Sequence, residues 1–137
     1  MFKLALSAGH YMNTPGKRCL KSLDPNETRE WWLNDRVADK IEAYLQDYAN
    51  IQIIRVDDTT GEKDIALTTR TNICNNNNCD FYLAIHHNAG INGGAGGGIV
   101  AFSYKHGTTG AKWRDEFYKS LIEATGLKGN RSSGTLA

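Results

Sequence analysis

Tyr82-Leu83-Ala84-Ile85-His86-His87-Asn88-Ala89-Gly90 is an apolar run that stops at two histidines and an asparagine and then opens into glycine. It reads as a buried strand with polar side chains at its carboxyl end. Buried polar groups need partners, and in open α/β sheets sites gather at the carboxyl ends of strands. The stretch therefore points to a site. It points to an α/β fold as well, provided the rest of the chain supplies helices between strands.

Working outward, residues 2–6 form a first strand, with Ser7-Ala8-Gly9-His10 as its exit, and residues 11–24 read as a loop. Asp24-Pro25-Asn26-Glu27 has the residues of a helix start: an N-cap, a proline at the first helical position and a capping-box glutamate. That helix is expected to run to about Tyr48. Leu33, Val37, Ile41, Tyr44, Leu45 and Tyr48 form its apolar stripe, which Glu30 and Asn34 extend toward the N-terminus. Residues 51–56 are β-branched and strand-like, residues 65–76 are helical with a weaker period, and residues 80–87 form the third strand. The asparagine run 75–78 suits a helix end and turn, because asparagine tolerates left-handed dihedrals.

A glycine-rich loop follows over 90–98. It lacks the Gly-Lys-Ser/Thr of a phosphate loop, which excludes that mode of nucleotide binding, and it reads as a rim. Residues 99–104 form a fourth strand. Thr108 or Thr109 caps a helix that carries Trp113, Phe117, Leu121 and Ile122 and ends near Gly126; residues 127–137 read as polar and ragged. The order β-α-β-α-β-β-α implies a single twisted, mostly parallel sheet with helices on both faces, in one domain spanning 1–137.

Composition narrows the function. A formal net charge of +1 carries no electrostatic footprint for nucleic acid or an acidic membrane surface. No apolar run approaches the ~20 residues of a membrane span, and the first nine residues are too short in apolar core for a signal peptide. The expected location is the cytoplasm of a bacterial host until release to the cell wall, or the exterior after lysis. The three cysteines, Cys19, Cys74 and Cys79, read as reduced thiols; a cysteine zinc site needs more ligands.

Four residues stand out by topology. His10 lies just past strand one, His86 and His87 lie at the end of strand three, and Glu30 sits on an inward helix face, where a carboxylate needs a partner or a metal. Two histidines and a carboxylate with an open fourth position are the donor set of a catalytic zinc, which implies hydrolysis of an amide or ester. Successive strand residues face opposite ways, so one of His86 and His87 enters the site, and spacing alone does not choose.

These residues carry a resemblance. The chain is similar to the zinc-dependent N-acetylmuramoyl-L-alanine amidases of the amidase-3 type, which include bacterial wall amidases and phage endolysins. Ser7-Ala8-Gly9-His10 matches the first ligand segment, Glu30-Trp31-Trp32-Leu33-Asn34 the second, and Ala84-Ile85-His86-His87-Asn88 the third. Leu67-Thr68-Thr69-Arg70 and residues 97–102 resemble further family segments. The resemblance implies a zinc held by His10, Glu30 and His86, with His87 facing away and Asn88 in the second shell or lining the cleft. It implies that a zinc-activated water cleaves the amide between N-acetylmuramic acid and the L-alanine of the stem peptide. Peptidoglycan is the expected partner, and cell wall degradation of the endolysin, bacteriolytic kind the expected role.

One departure stands against this. The family places a further glutamate, its general base, near the end of the domain, and no matching glutamate occurs before Ala137; Glu116 and Glu123 do not match. The expectation is thus an amidase-like, zinc-binding domain lacking its C-terminal portion, with weak or no hydrolase activity. The alternatives are an inactive zinc-containing wall-binding module and a zinc peptidase acting on another amide.

Overall fold

A computed structural model describes residues 1–88, 98–129 and 134–135. It contains β1 (Phe2–Ala8), α1 (Glu30–Leu45), β2 (Ile51–Arg55), α2 (Leu67–Asn76), β3 (Phe81–Ile85), β4 (Phe102–Ser103), α3 (Thr109–Thr125) and β5 (Gly134–Thr135). The fold is α/β with parallel strands. The chain divides into two compact units, Met1–His87 and Asn88–Ala137.

In the first unit β1 is the middle of a three-stranded parallel sheet of order β2-β1-β3. Ala8 is in register with Ile85, so the ends of β1 and β3 emerge side by side. β1 is buried on both faces, as a central parallel strand must be. Leu4, Leu6 and Ala8 pack with Trp31 and Ala38 of α1, joined by Ile41, Leu45, Phe81, Leu83 and Ile85. On the opposite face Ser7 Oγ accepts a hydrogen bond at 2.6 Å from Arg70 of α2. The Arg55 guanidinium at the end of β2 ties that strand to α1, donating to Asp35 and Asp39 at 2.8 Å each while also holding Asp57.

Helix α1 begins at Glu30, not near Asp24. The Asp24 carboxylate is engaged locally: it accepts from the Asn26 and Thr28 N–H groups, each at 2.9 Å. A short aspartate that satisfies its own turn has nothing left to cap a helix. Glu27 sits at φ 50° and pairs with Arg18 instead of closing a capping box. The inward stripe is also rotated from the expected one. Trp31, Asn34 and Ala38 are the buried residues of α1, whereas Val37, Tyr44 and Tyr48 are exposed.

In the second unit Thr108 caps α3, its side chain accepting from the Ala111 N–H, and Gly126 ends that helix in the left-handed region at φ 67°. β4 pairs in parallel with β5, and Ile99 bridges to Gly129, so part of the stretch read as ragged forms strand pairs. The expected fourth strand is confined to Phe102–Ser103. Residues 90–97 of the glycine-rich loop lie outside the described residues. No described helix is long and apolar enough to cross a membrane.

Candidate metal centre

The carboxyl ends of β1 and β3 and the first residue of α1 meet at one edge of the first unit. The chain leaves β1 through Gly9, whose N–H donates to Ile85 O at 2.9 Å. A β-carbon at Gly9 would run into the His86 ring, so only glycine fits there. His10 then adopts φ 68°, a left-handed turn that costs a non-glycine residue of order 1 kcal/mol or more. Arg70, 3% exposed, holds that turn. Its guanidinium donates to Ala8 O at 2.6 Å and His10 O at 3.0 Å, besides Ser7 Oγ, and its Nε donates to Ile65 O at 2.8 Å. One planar fork thus fixes the backbone at the exit of β1.

Glu30 stands at the helix N-terminus, where the backbone dipole favours a carboxylate. Its Oε2 is 3.3 Å from His10 Nε2, and its Oε1 is 3.1 Å from His86 Nδ1. The two imidazoles meet edge to face with centroids 4.9 Å apart. One donor atom from each of His10, Glu30 and His86 lies within 4.8 Å of the others. Burial pushes the Glu30 carboxyl up, but the His86 hydrogen bond and the nearby charges of His10 and His86 outweigh it and hold the group below its ordinary value. Burial lowers the His10 pKa, and the Glu30 charge does not restore it. An ionised carboxylate and an imidazole kept from its charged form are the species a divalent metal binds, so the donor set fits such an ion.

His87 is not idle, although it lies off the donor cluster. Leu83 and Ile85 face α1, and the period of two carries His87 to the same side. Its Nδ1 is 2.8 Å from Asn34 Oδ1, and its backbone N–H donates to Glu30 Oε1 at 3.3 Å. Asn34 is fully buried, and its Nδ2 donates to Gly9 O at 3.0 Å and to Glu30 Oε1 at 3.5 Å. Strand parity could have found the His87–Asn34 pair. Asn88 is exposed and opens the second unit.

The fold and the donor set define a parallel α/β protein with a metal-capable edge. The family model for N-acetylmuramoyl-L-alanine amidase matches residues 4–135, and the chain belongs to that family. Among solved structures, the catalytic domain of CwlV, an N-acetylmuramoyl-L-alanine amidase from Bacillus (Paenibacillus) polymyxa var. colistinus, superimposes with a TM-score of 0.82 at 18% identity, covering 99% of this chain and 70% of that one. The N-acetylmuramoyl-L-alanine amidase from Clostridium difficile 630 gives 0.82 at 22% identity, covering 99% and 69%. AmiC2 of Nostoc punctiforme, also an N-acetylmuramoyl-L-alanine amidase, gives 0.80 at 15%, covering 98% and 69%. Comparison with curated protein sequences gives no match.

Proposed function

We propose that the chain is a zinc-dependent peptidoglycan hydrolase that cleaves the amide between N-acetylmuramic acid and the L-alanine of the stem peptide. The observation that carries this is the convergence of His10, Glu30 and His86 within 4.8 Å in a member of the amidase family. Zinc held by these three would polarise the scissile carbonyl and lower the pKa of a water to about 7.

The chain's own residues do the rest. His10 and His86 offer ring nitrogens. Glu30, kept ionised, offers an oxygen and balances the charge. Asn34 and the His87 backbone N–H hold Glu30 in place, and Arg70 holds the His10 turn. The His86 side chain is 47% exposed against 12% for Glu30, so the cluster is open to a substrate on the His86 side. Asn88 is assigned to the cleft wall or to a hydrogen bond beyond the ligands.

Glu30 is the one carboxylate of the cluster among the described residues. It is committed to the metal, which leaves proton transfer without a dedicated group there. General acid–base help is worth ~10²–10⁴ in rate, and in this reading Glu30 serves the metal and not that role. The endolysin-like role, with release to the wall by lysis or phage export, belongs to the same proposal.

The test is digestion of purified cell walls by the zinc-loaded polypeptide, with product analysis. New N-terminal L-alanine on released stem peptides supports the amidase. Cleavage within the stem peptide alone assigns a zinc peptidase, and zinc and wall binding without product assigns a binding module.

A further inference from the structure

Helix α2 ends in a turn that sets two cysteines against each other. Asn77 is its C-cap, and Asn78 follows in the left-handed region at φ 51°. The Asn78 N–H donates to Asn75 O at 3.0 Å, and the Cys79 N–H donates to Cys74 O at 3.1 Å. These are the 5→2 and 6→1 hydrogen bonds of a Schellman motif. In that motif the residue after the left-handed position packs on the third residue from the helix end, ordinarily as an apolar contact. Here the two contact positions are Cys79 and Cys74. Both are half-buried free thiols. Burial pushes the Cys74 thiol up to about 11, and the neighbouring Cys79 thiol adds to the rise.

We propose that Cys74 and Cys79 form an oxidisable dithiol whose product is an intramolecular disulfide closing the C-terminal turn of α2. The oxidant is a low-molecular-weight disulfide such as oxidised glutathione. The Cys79 thiolate attacks it, forming a mixed disulfide and releasing one glutathione thiolate. Cys74 then loses its proton to solvent and attacks the Cys79 sulfur, and the second glutathione thiolate leaves. Two thiols give up two protons and two electrons in all, and the oxidant is reduced to two thiols. Cys79 takes the attacking role because burial disfavours the Cys74 thiolate. The turn joins α2, which carries Arg70, to β3, which leads into His86, so the bond staples the two elements that hold the edge of the sheet.

The experiment uses the full 137-residue chain, exposed to oxidised glutathione, alkylated and mapped by peptide mass spectrometry. The expected product links Cys74 to Cys79, lacks two hydrogens there and leaves Cys19, which is exposed, outside the link, either alkylated or carrying one glutathione. The Tm should rise by about 5 °C, reverse with dithiothreitol, persist in Cys19→Ser and vanish in Cys79→Ser. Alkylation of all three thiols after oxidation would overturn the proposal. So would glutathione that stays on Cys79 without ring closure, or dimers linked through Cys74 or Cys79.

Discussion

His87 Nδ1 lies 2.8 Å from Asn34 Oδ1, so the end of β3 is latched to α1 one turn away from Glu30. The latch orients the amide. With Oδ1 facing the ring, Nδ2 is turned toward Gly9 O and Glu30 Oε1. Replacing His87 by Ala leaves a fully buried amide oxygen without that partner, which costs about 1–3 kcal/mol. Partners beyond the ligands are typically worth 10–100-fold in metal affinity, so zinc binding should weaken by about tenfold. Urea unfolding and competition with a chelating dye measure the two effects. Unchanged values in both would reduce His87 to a solvated side chain.

Gly9 is the tightest point of the edge. Gly9→Ala drives a methyl group into the His86 ring and should destabilise the fold by about 1–3 kcal/mol, as overpacking does. Because the ring must move, zinc affinity should fall more than stability does. Thermal unfolding with and without zinc separates the two; an alanine variant with wild-type affinity would show that the His86 ring is free to shift.

Arg70 spans three backbone carbonyls and a hydroxyl, an arrangement that a lysine's single ammonium does not reproduce. Arg70→Lys is therefore expected to lose at least about 1–3 kcal/mol, from acceptors left buried and unpaired. Hydrogen exchange should locate the loss at residues 7–10. A lysine variant as stable as the parent would mean that the His10 turn holds itself.

Asp24 supplies a pH-dependent element outside the site. Hydrogen bonds from Thr28 and Asn26 hold its carboxyl below the ordinary value of 3.8. A depressed carboxylate contributes stability above its unfolded-state pKa and loses it as pH falls through the folded value. The gap in Tm between the parent and Asp24→Ala should be full above the ordinary carboxylate range and should close as pH falls through the lowered folded-state value. A gap that does not change with pH would assign the effect to backbone geometry and not to charge.

The residues that made the fold legible are those whose pattern has one physical reading. The apolar interior of β1 and β3 and the β-branched run of β2 are buried parallel strands, and a helix between each pair forces the parallel order. The start of α1 was hidden because Asp24-Pro25 fits a turn as well as a cap, and the turn won through two side-chain-to-backbone bonds. The inward face of α1 is legible at Asn34, Ile41 and Leu45 but not at Trp31 and Ala38, while Val37 and Tyr44 of the expected stripe face water. β5 has two residues and depends on pairing with β4, so local sequence carries no signal for it. At the site, the convergence of His10, Glu30 and His86 is legible from topology and resemblance together. The partnership of His87 with Asn34 needed strand parity to be carried one residue past the end of β3.

Zinc stoichiometry in purified variants tests the central claim most directly. The wild-type chain should bind one zinc, and His10→Ala, Glu30→Gln and His86→Ala should each bind it at least about a hundredfold more weakly while keeping a folded circular dichroism spectrum. His106 is a histidine outside this donor cluster, and His106→Ala should bind as the wild type does. Stoichiometric zinc retained in His86→Ala, or no zinc bound by the folded wild-type chain, would contradict the account.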